Sequence, residues 1–319
     1  MTIKQIYDLA VKMGIESDLR GKAAVKKYLE RTRKKYDKLD KEAKENFDTE
    51  KLTNPYSDTR ILFDNNKKNV KKVMVGIDVE GEEMLLADRL GGFDLAISHH
   101  PRGRALADLH SVMDLQIEVL ADYGVPINIA ESVTKPRISE VGRGVSPANH
   151  NRPVDIARLL GLGYMCVHTA ADNLSAKFIS DQLAKKKPEF VEDVLEMLKA
   201  IPEYAEASKH NAGPTLFVGS PENYCGRVVV TEFTGGTSGS KEIYEKMAQA
   251  GIGTIIGMHM GEEHRKEAEK YHINVVIAGH MASDSLGMNL FLDALEADGI
   301  EIIPVSGLIR FNRKTKNRK

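Results

Sequence analysis

The chain has 319 residues, 42% of them hydrophobic, which is enough to bury a substantial core and points to two lobes rather than one. Its 45 Lys and Arg against 46 Asp and Glu leave a formal charge of -1, so no net field draws it to nucleic acid or to an anionic membrane surface. The longest apolar stretches, such as residues 159 to 167, are broken by glycine and fall far short of the ~20 residues a membrane-spanning helix needs.

The chain opens with MTIKQIYDLAVKMGIESD, which carries acidic residues and helical spacing where a signal peptide needs an unbroken apolar core. This reads as the start of a cytoplasmic protein. Residues 3 to 47 are helical in pattern, but the stretch KKYLERTRKKYDKLDKEAKENF offers few apolar positions and predicts a charged surface helical pair. Interleaved acids weaken its field, which favours a solvated face over one that binds RNA or a partner. Residues 1–68 are thus expected to form a helical segment ahead of an α/β body.

That body starts near Lys71 with the buried-strand run KVMVGID, then a helix-like EEMLLADRL and a second strand, FDLAISHH. A helix over Met113–Tyr123, a strand over Pro126–Ala130, a helix over Val154–Leu160, a strand over Tyr164–Val167 and a helix over Ala176–Lys185 are expected to follow. The alternation implies an α/β fold with a largely parallel sheet, and ligands gather at the carboxyl ends of such strands. The first lobe is placed at 69–185 and a helical connector, rich in charge and proline, at 186–213. A second α/β lobe is placed at 214–311, with strands TLFVG, RVVVTEF, GTIIG, INVVIAG and IEIIPV and helices at Lys241–Gln249, Glu262–Tyr271 and Asp284–Ala297. A basic tail, 312–319, closes the chain. The two cysteines, Cys166 and Cys225, fall in apolar runs and read as core thiols, without a disulfide framework or a Cys-rich zinc knuckle.

Three short segments concentrate the residue types that bind metals. In ISHHP, His99 and His100 end a strand, and adjacent strand residues point to opposite sides, so the pair can serve two ions or one ion and its surroundings. The plainer alternative is one buried and one surface histidine. In VHTAADN, His168 ends another strand and Asp172 follows four residues later, where it can equally be a helix N-cap. In AGHMASDSLG, His280 and Asp284 repeat that spacing after the strand INVVIAG. Three strand ends carrying His, or His plus Asp, can converge on one nitrogen- and oxygen-rich site suited to Zn, Fe, Mn, Co or Ni. Of the ten histidines, His259, His264 and His272 also lie near strand and helix ends and read as structural, with His259 or His264 able to line a cleft.

The motifs HHP, HTAAD and GHMASD, in this order and separation, resemble the Nif-three-like family, whose members carry the label GTP cyclohydrolase I type 2-like. The likeness spans about Val70 to Val305. It implies two α/β lobes, a dinuclear metal centre in the cleft between them and a toroidal homohexamer. Carried over by residue, it implies metal ligands at His99, His100, Asp172 and His280. Asp284 stands where the family usually has a glutamate, one methylene longer. His168 is expected to handle protons rather than bind metal directly. The loop TEFTGGTSGS resembles the family's glycine-rich segment; Gly235, Gly236 and Gly239 allow backbone N–H groups to face an anion, or simply permit a tight turn. The GxxxxGK[ST] spacing of a P-loop is absent.

The expectation is a hydrolase with two divalent transition-metal ions acting on a small polar or nucleotide-like substrate. Two alternatives stand beside it: ring opening of GTP, and a metal-responsive regulatory or scaffold protein whose charged N-terminal helices meet a partner.

Overall fold

The structure is a computed structural model describing residues 1–313, so most of the predicted basic tail lies outside the described residues. Among the described residues nine strands appear in chain order: β1 (Arg60–Phe63), β2 (Lys72–Gly76), β3 (Leu95–Ser98), β4 (Gly163–Cys166), β5 (Thr215–Val218), β6 (Arg227–Val230), β7 (Ile252–Gly257), β8 (Asn274–Ile277) and β9 (Glu301–Val305). They form a five-stranded sheet in the order β1-β4-β3-β2-β9 and a four-stranded sheet in the order β5-β8-β7-β6. In each sheet one edge strand, β1 or β5, runs antiparallel and the remainder are parallel. Two α/β lobes result.

Both sheets are covered on both faces, and the strand pattern shows why. In β2, Val73 and Val75 face a core shared with helices Ile3–Ser17, Thr169–Lys186 and His280–Ala297, while Met74 between them faces helices Gly81–Leu90 and Arg152–Leu160. Strands buried on both faces read as continuous apolar runs, which is the pattern that made them recognisable. The second sheet divides in the same way: Val230, Ile256 and Val276 face one core, Val229, Ile255 and Val275 the other. Helices Thr169–Lys186 and His280–Ala297 contribute side chains to the cores of both lobes and lie between the sheets. A Cβ at Gly287 would stand 2.2 Å from the Ala171 carbonyl oxygen, so glycine there lets these two helices touch backbone to backbone.

Several elements differ from the sequence expectation. The strand expected at Pro126–Ala130 is the start of helix Ile127–Val145, with Pro126 as its N-cap. A short apolar run after proline suits a helix start as well as a strand, and length alone decides. The strand IEIIPV, expected in the second lobe, is β9 and pairs in parallel with β2 of the first sheet. The N-terminal segment is not wholly a surface feature. Helix Ile3–Ser17 buries Ile3, Ile6, Tyr7, Ala10, Val11 and Gly14, whereas helix Lys22–Asp37 buries only Val25. The same segment supplies β1. Helices expected to begin at Ala176 and Asp284 begin at Thr169 and His280. Asp172 therefore lies inside the first turn and is not the N-cap, a position taken by His168. Both cysteines are free and buried.

Candidate metal centre

His99 and His100 follow β3, and their backbone N–H groups continue the ladder by donating to Gly76 O at 2.9 Å and Ile77 O at 2.8 Å. The strand thereby fixes both side chains. His99 is fully buried and its Nδ1 lies 2.9 Å from the Val167 carbonyl oxygen. His100 Nδ1 is 2.9 Å from Asp78 Oδ1, and Asp78 is held in turn by Arg102 at 2.8 Å. His168, at the end of β4, sets Nδ1 2.8 Å from Asp58 Oδ2, while Thr169 also donates to Asp58 at 2.6 Å. All three rings therefore engage Nδ1 with a carbonyl or carboxylate oxygen and leave Nε2 to face inwards. Metal-binding imidazoles show this arrangement, because the outer acceptor fixes the tautomer and the ring orientation.

Facing these nitrogens are two buried carboxylates, Asp172 in the first turn of helix Thr169–Lys186 and Asp284 just beyond the first turn of helix His280–Ala297. Asp284 Oδ1 stands 3.5 Å from His99 Nε2, and its Oδ2 stands 3.5 Å from His100 Nε2 and 3.6 Å from His280 Nε2. Asp172 Oδ1 is 3.3 Å from His99 Nε2 and its Oδ2 is 3.8 Å from His168 Nε2. His99 Nε2, Asp172 Oδ1 and both Asp284 oxygens have no hydrogen-bond partner although they are buried. Leaving such atoms unsatisfied costs free energy, so a buried cluster of them fits a ligand that all can share. Ligands about 2.0–2.1 Å from a tetrahedral ion stand about 3.4 Å from one another, close to the separations seen here. The donor set fits a divalent transition metal.

Three groups of donor atoms come within 4.8 Å of one another: His99 with Asp172 and Asp284, His100 with His280 and Asp284, and His99 with His100 and His168. Asp284 belongs to two of them. The shorter aspartate reaches both because helix His280–Ala297 begins directly after β8, with Gly279 at φ 108° making the turn. Burial works against ionisation of Asp284, but His99, His100 and His280 outweigh it and hold the carboxyl well below the usual carboxylate range. Burial would likewise lower the pKa of His168, yet Asp172 and Asp58 raise it above the ordinary value.

The structure thus brings together His99, His100, His168, Asp172, His280 and Asp284, all named from the sequence. The glycine loop lies beside them. Gly235 and Gly236 take φ of 87° and 86°, and Gln116 holds the loop by donating to Gly235 O at 3.0 Å and Thr237 O at 2.6 Å. Gly236 and Thr237 line the cleft over the carboxylates. Gly239 N–H donates to Glu232 Oε1 at 3.3 Å. His259 lines the same cleft, its ring 4.7 Å from that of His280, whereas His264 turns to the Tyr244 hydroxyl at 3.0 Å. His272 occupies a turn with φ 59°. Sequence reasoning missed Asp58, Asp78 and Glu232. Asp78 and Glu232 follow the C-terminal ends of β2 and β6, so the strand-end rule applied to carboxylates as well as histidines would have found them. Asp58 precedes an antiparallel edge strand and has no such signal.

A NIF3 superfamily protein from Sphaerobacter thermophilus superposes on 97% of this chain and 99% of its own, with a TM-score of 0.78 at 23% identity. The chain has the NIF3 superfamily fold. Reduced HcgD from Methanocaldococcus jannaschii matches 74% of the chain and 84% of its own at 18% identity and a TM-score of 0.44. A Bacillus cereus protein related to NIF3 matches 80% and 91% at 12% identity and 0.39. No protein-family model and no curated protein matches the chain. In this NIF3 fold the His and Asp cluster forms where the two lobes meet, with His99, His100 and His168 from the first sheet and His280 from the second. Among the described residues no helix is long and apolar enough to cross a membrane.

Proposed function

We propose that this protein holds two divalent transition-metal ions and hydrolyses a small polar substrate. The observation that carries the reading is Asp284, shared between two separate three-residue donor groups, one completed by His99 and Asp172 and the other by His100 and His280. A carboxylate shared in this way would suit a two-ion site, where bound metals would acidify a water and polarise the bond to be cleaved. Asp172 and Asp284 supply the negative charge that compensates the ions, and the Nδ1 partners of His99 and His100 keep both rings oriented. His168 holds its Nδ1 on Asp58 and presents Nε2 toward the cleft, where it can accept a proton and later return it.

The cleft has about 30 Å³ of water-sized space at its base and opens to solvent, so the reacting end of a substrate can reach the carboxylates while the rest extends outward. Metal content measured by mass spectrometry on protein purified without chelator tests the reading. About two ions per chain are expected in the wild type, with fewer in His100→Ala, Asp172→Ala and Asp284→Ala. Wild-type protein that holds no metal and cannot be reloaded would overturn it.

A further inference from the structure

Glu232 is the carboxylate of the cleft that the metal groups do not use. It leaves β6 with φ 57°, a left-handed conformation that is costly for a glutamate and that turns the side chain beneath the glycine loop, where it is 13% exposed. Its Oε1 accepts the Gly239 N–H at 3.3 Å and lies 3.7 Å from His264 Nδ1. It lines both the metal cleft and an adjoining cavity of about 50 Å³ under the loop. A backbone N–H of the loop, the group that would otherwise meet a phosphate or carboxylate, is thus already engaged by an acid of the chain itself. The described lining of the cleft includes no Lys or Arg, and besides Glu232 it contains Asp172 and Asp284. Metals would compensate those two aspartates, which leaves Glu232 as the acid a substrate meets at the loop, with Arg137 holding Ser238 O of that loop at 3.2 Å.

We propose that Glu232 sets the specificity of this cleft by filling the anion-accepting position of the glycine loop, so that the site selects a substrate presenting an amide or amidine nitrogen there and disfavours a phosphate. The proposal rests on the cleft being the substrate site of the reaction above. A carboxylate and an N–H-bearing edge pair well in a water-poor pocket, whereas two anions repel. The groups facing Glu232 are Gly239 N–H and Ser238 from the loop, His264 from helix Glu262–Lys270, Tyr244 from helix Ile243–Gln249 and Arg137 from helix Ile127–Val145. Burial pushes the carboxyl up to about 7, opposed by Gly239 N–H, Ser238 and Arg137. Selectivity against anions is therefore strongest above neutral pH.

The test is calorimetric titration of the full chain with inorganic phosphate and, separately, with formamidine, for wild type and Glu232→Gln at pH 8 and pH 6. At pH 8 the variant is expected to bind phosphate about tenfold more tightly and formamidine about tenfold more weakly than wild type, and at pH 6 the two proteins should converge to within about twofold. Equal phosphate and formamidine affinities in the two proteins at pH 8 would overturn the proposal. Should Glu232→Gln fail to fold, Glu232→Ala removes the same charge and is read in the same way. Metal content is measured on every sample, and the titrations are repeated on chelator-treated protein. A metal-free wild type removes the hydrolase reading, while the wild-type to variant comparison still decides the role of Glu232.

Discussion

At the scale of single residues, the centre depends as much on what holds the imidazoles as on the imidazoles themselves. Asp58 is fully buried and fixes His168 through Nδ1. Asp58→Asn replaces an acceptor by a group that can also donate, so the ring loses its set tautomer. With His168 handling protons as proposed, turnover of a hydrolysed substrate is expected to fall roughly 100-fold while metal content by mass spectrometry and the fold are retained. Glu232 gives a pH-dependent prediction. Its pKa rises from 4.5 to about 7, so the native state keeps a proton that the unfolded chain releases earlier. Stability contributed by this group is present below about pH 4.5, is lost as pH rises through about 7, and stays lost above it. Glu232→Gln removes that dependence. In urea unfolding of metal-free protein it should match wild type near pH 5 and exceed it by about 1–3 kcal/mol at pH 8. A gain of the same size at both pH values would show that the carboxyl does not titrate in this range.

At the scale of elements, the two central helices carry the two carboxylates, so their packing sets the distance between Asp172 and Asp284. The contact at Gly287 leaves no room for a methyl group, with the Ala171 carbonyl oxygen 2.2 Å from where it would sit. Gly287→Ala is expected to push the helices apart, cost roughly 1–3 kcal/mol and lower metal content along with thermal stability. Gly144, in helix Ile127–Val145, faces open space with nothing within 4 Å of a Cβ. There Gly→Ala should raise stability by up to about 1 kcal/mol and leave metal content alone. The pair separates a general glycine effect from one transmitted to the site. Helix Ile3–Ser17 acts on the same layer, since a Cβ at Gly14 would stand 2.8 Å from Ala170 Cα, two residues before Asp172.

At the scale of the whole molecule, donor side chains from both sheets meet in one cluster, and bound ions would tie the lobes together. Anything that binds the native state alone stabilises it by mass action, about 3–4 kcal/mol when the ligand is at 100 to 1,000 times its dissociation constant. Chelation should then lower the Tm by several degrees, and restoring the metal should recover it. A Tm indifferent to chelator and to added metal would mean that the buried cluster is satisfied without an ion. The last strand adds a second tie. β9 enters the first sheet beside β2, and the chain after it returns to helix His280–Ala297, where Ile309 N–H donates to Ser285 Oγ at 3.0 Å and Arg310 reaches Asp293 at 2.7 Å.

The sequence by itself determined the α/β class, most of the strands and the six His and Asp residues that the fold brings into one cluster. Apolar runs of strand length are visible locally, and His and Asp gather at strand ends that a parallel sheet brings to one edge. It did not distinguish the helix at 127–130 from a strand, because a short apolar run after proline carries no period. Only the tertiary structure decided that IEIIPV belongs to the first sheet, since pairing partners are chosen by register and burial rather than by composition. Tertiary contact likewise brought Asp58 to His168 across 110 residues, and turned Glu232 under the glycine loop. Such groups have no periodic signature in sequence. Their roles are fixed by what lies opposite them, and that exists only once the chain has folded.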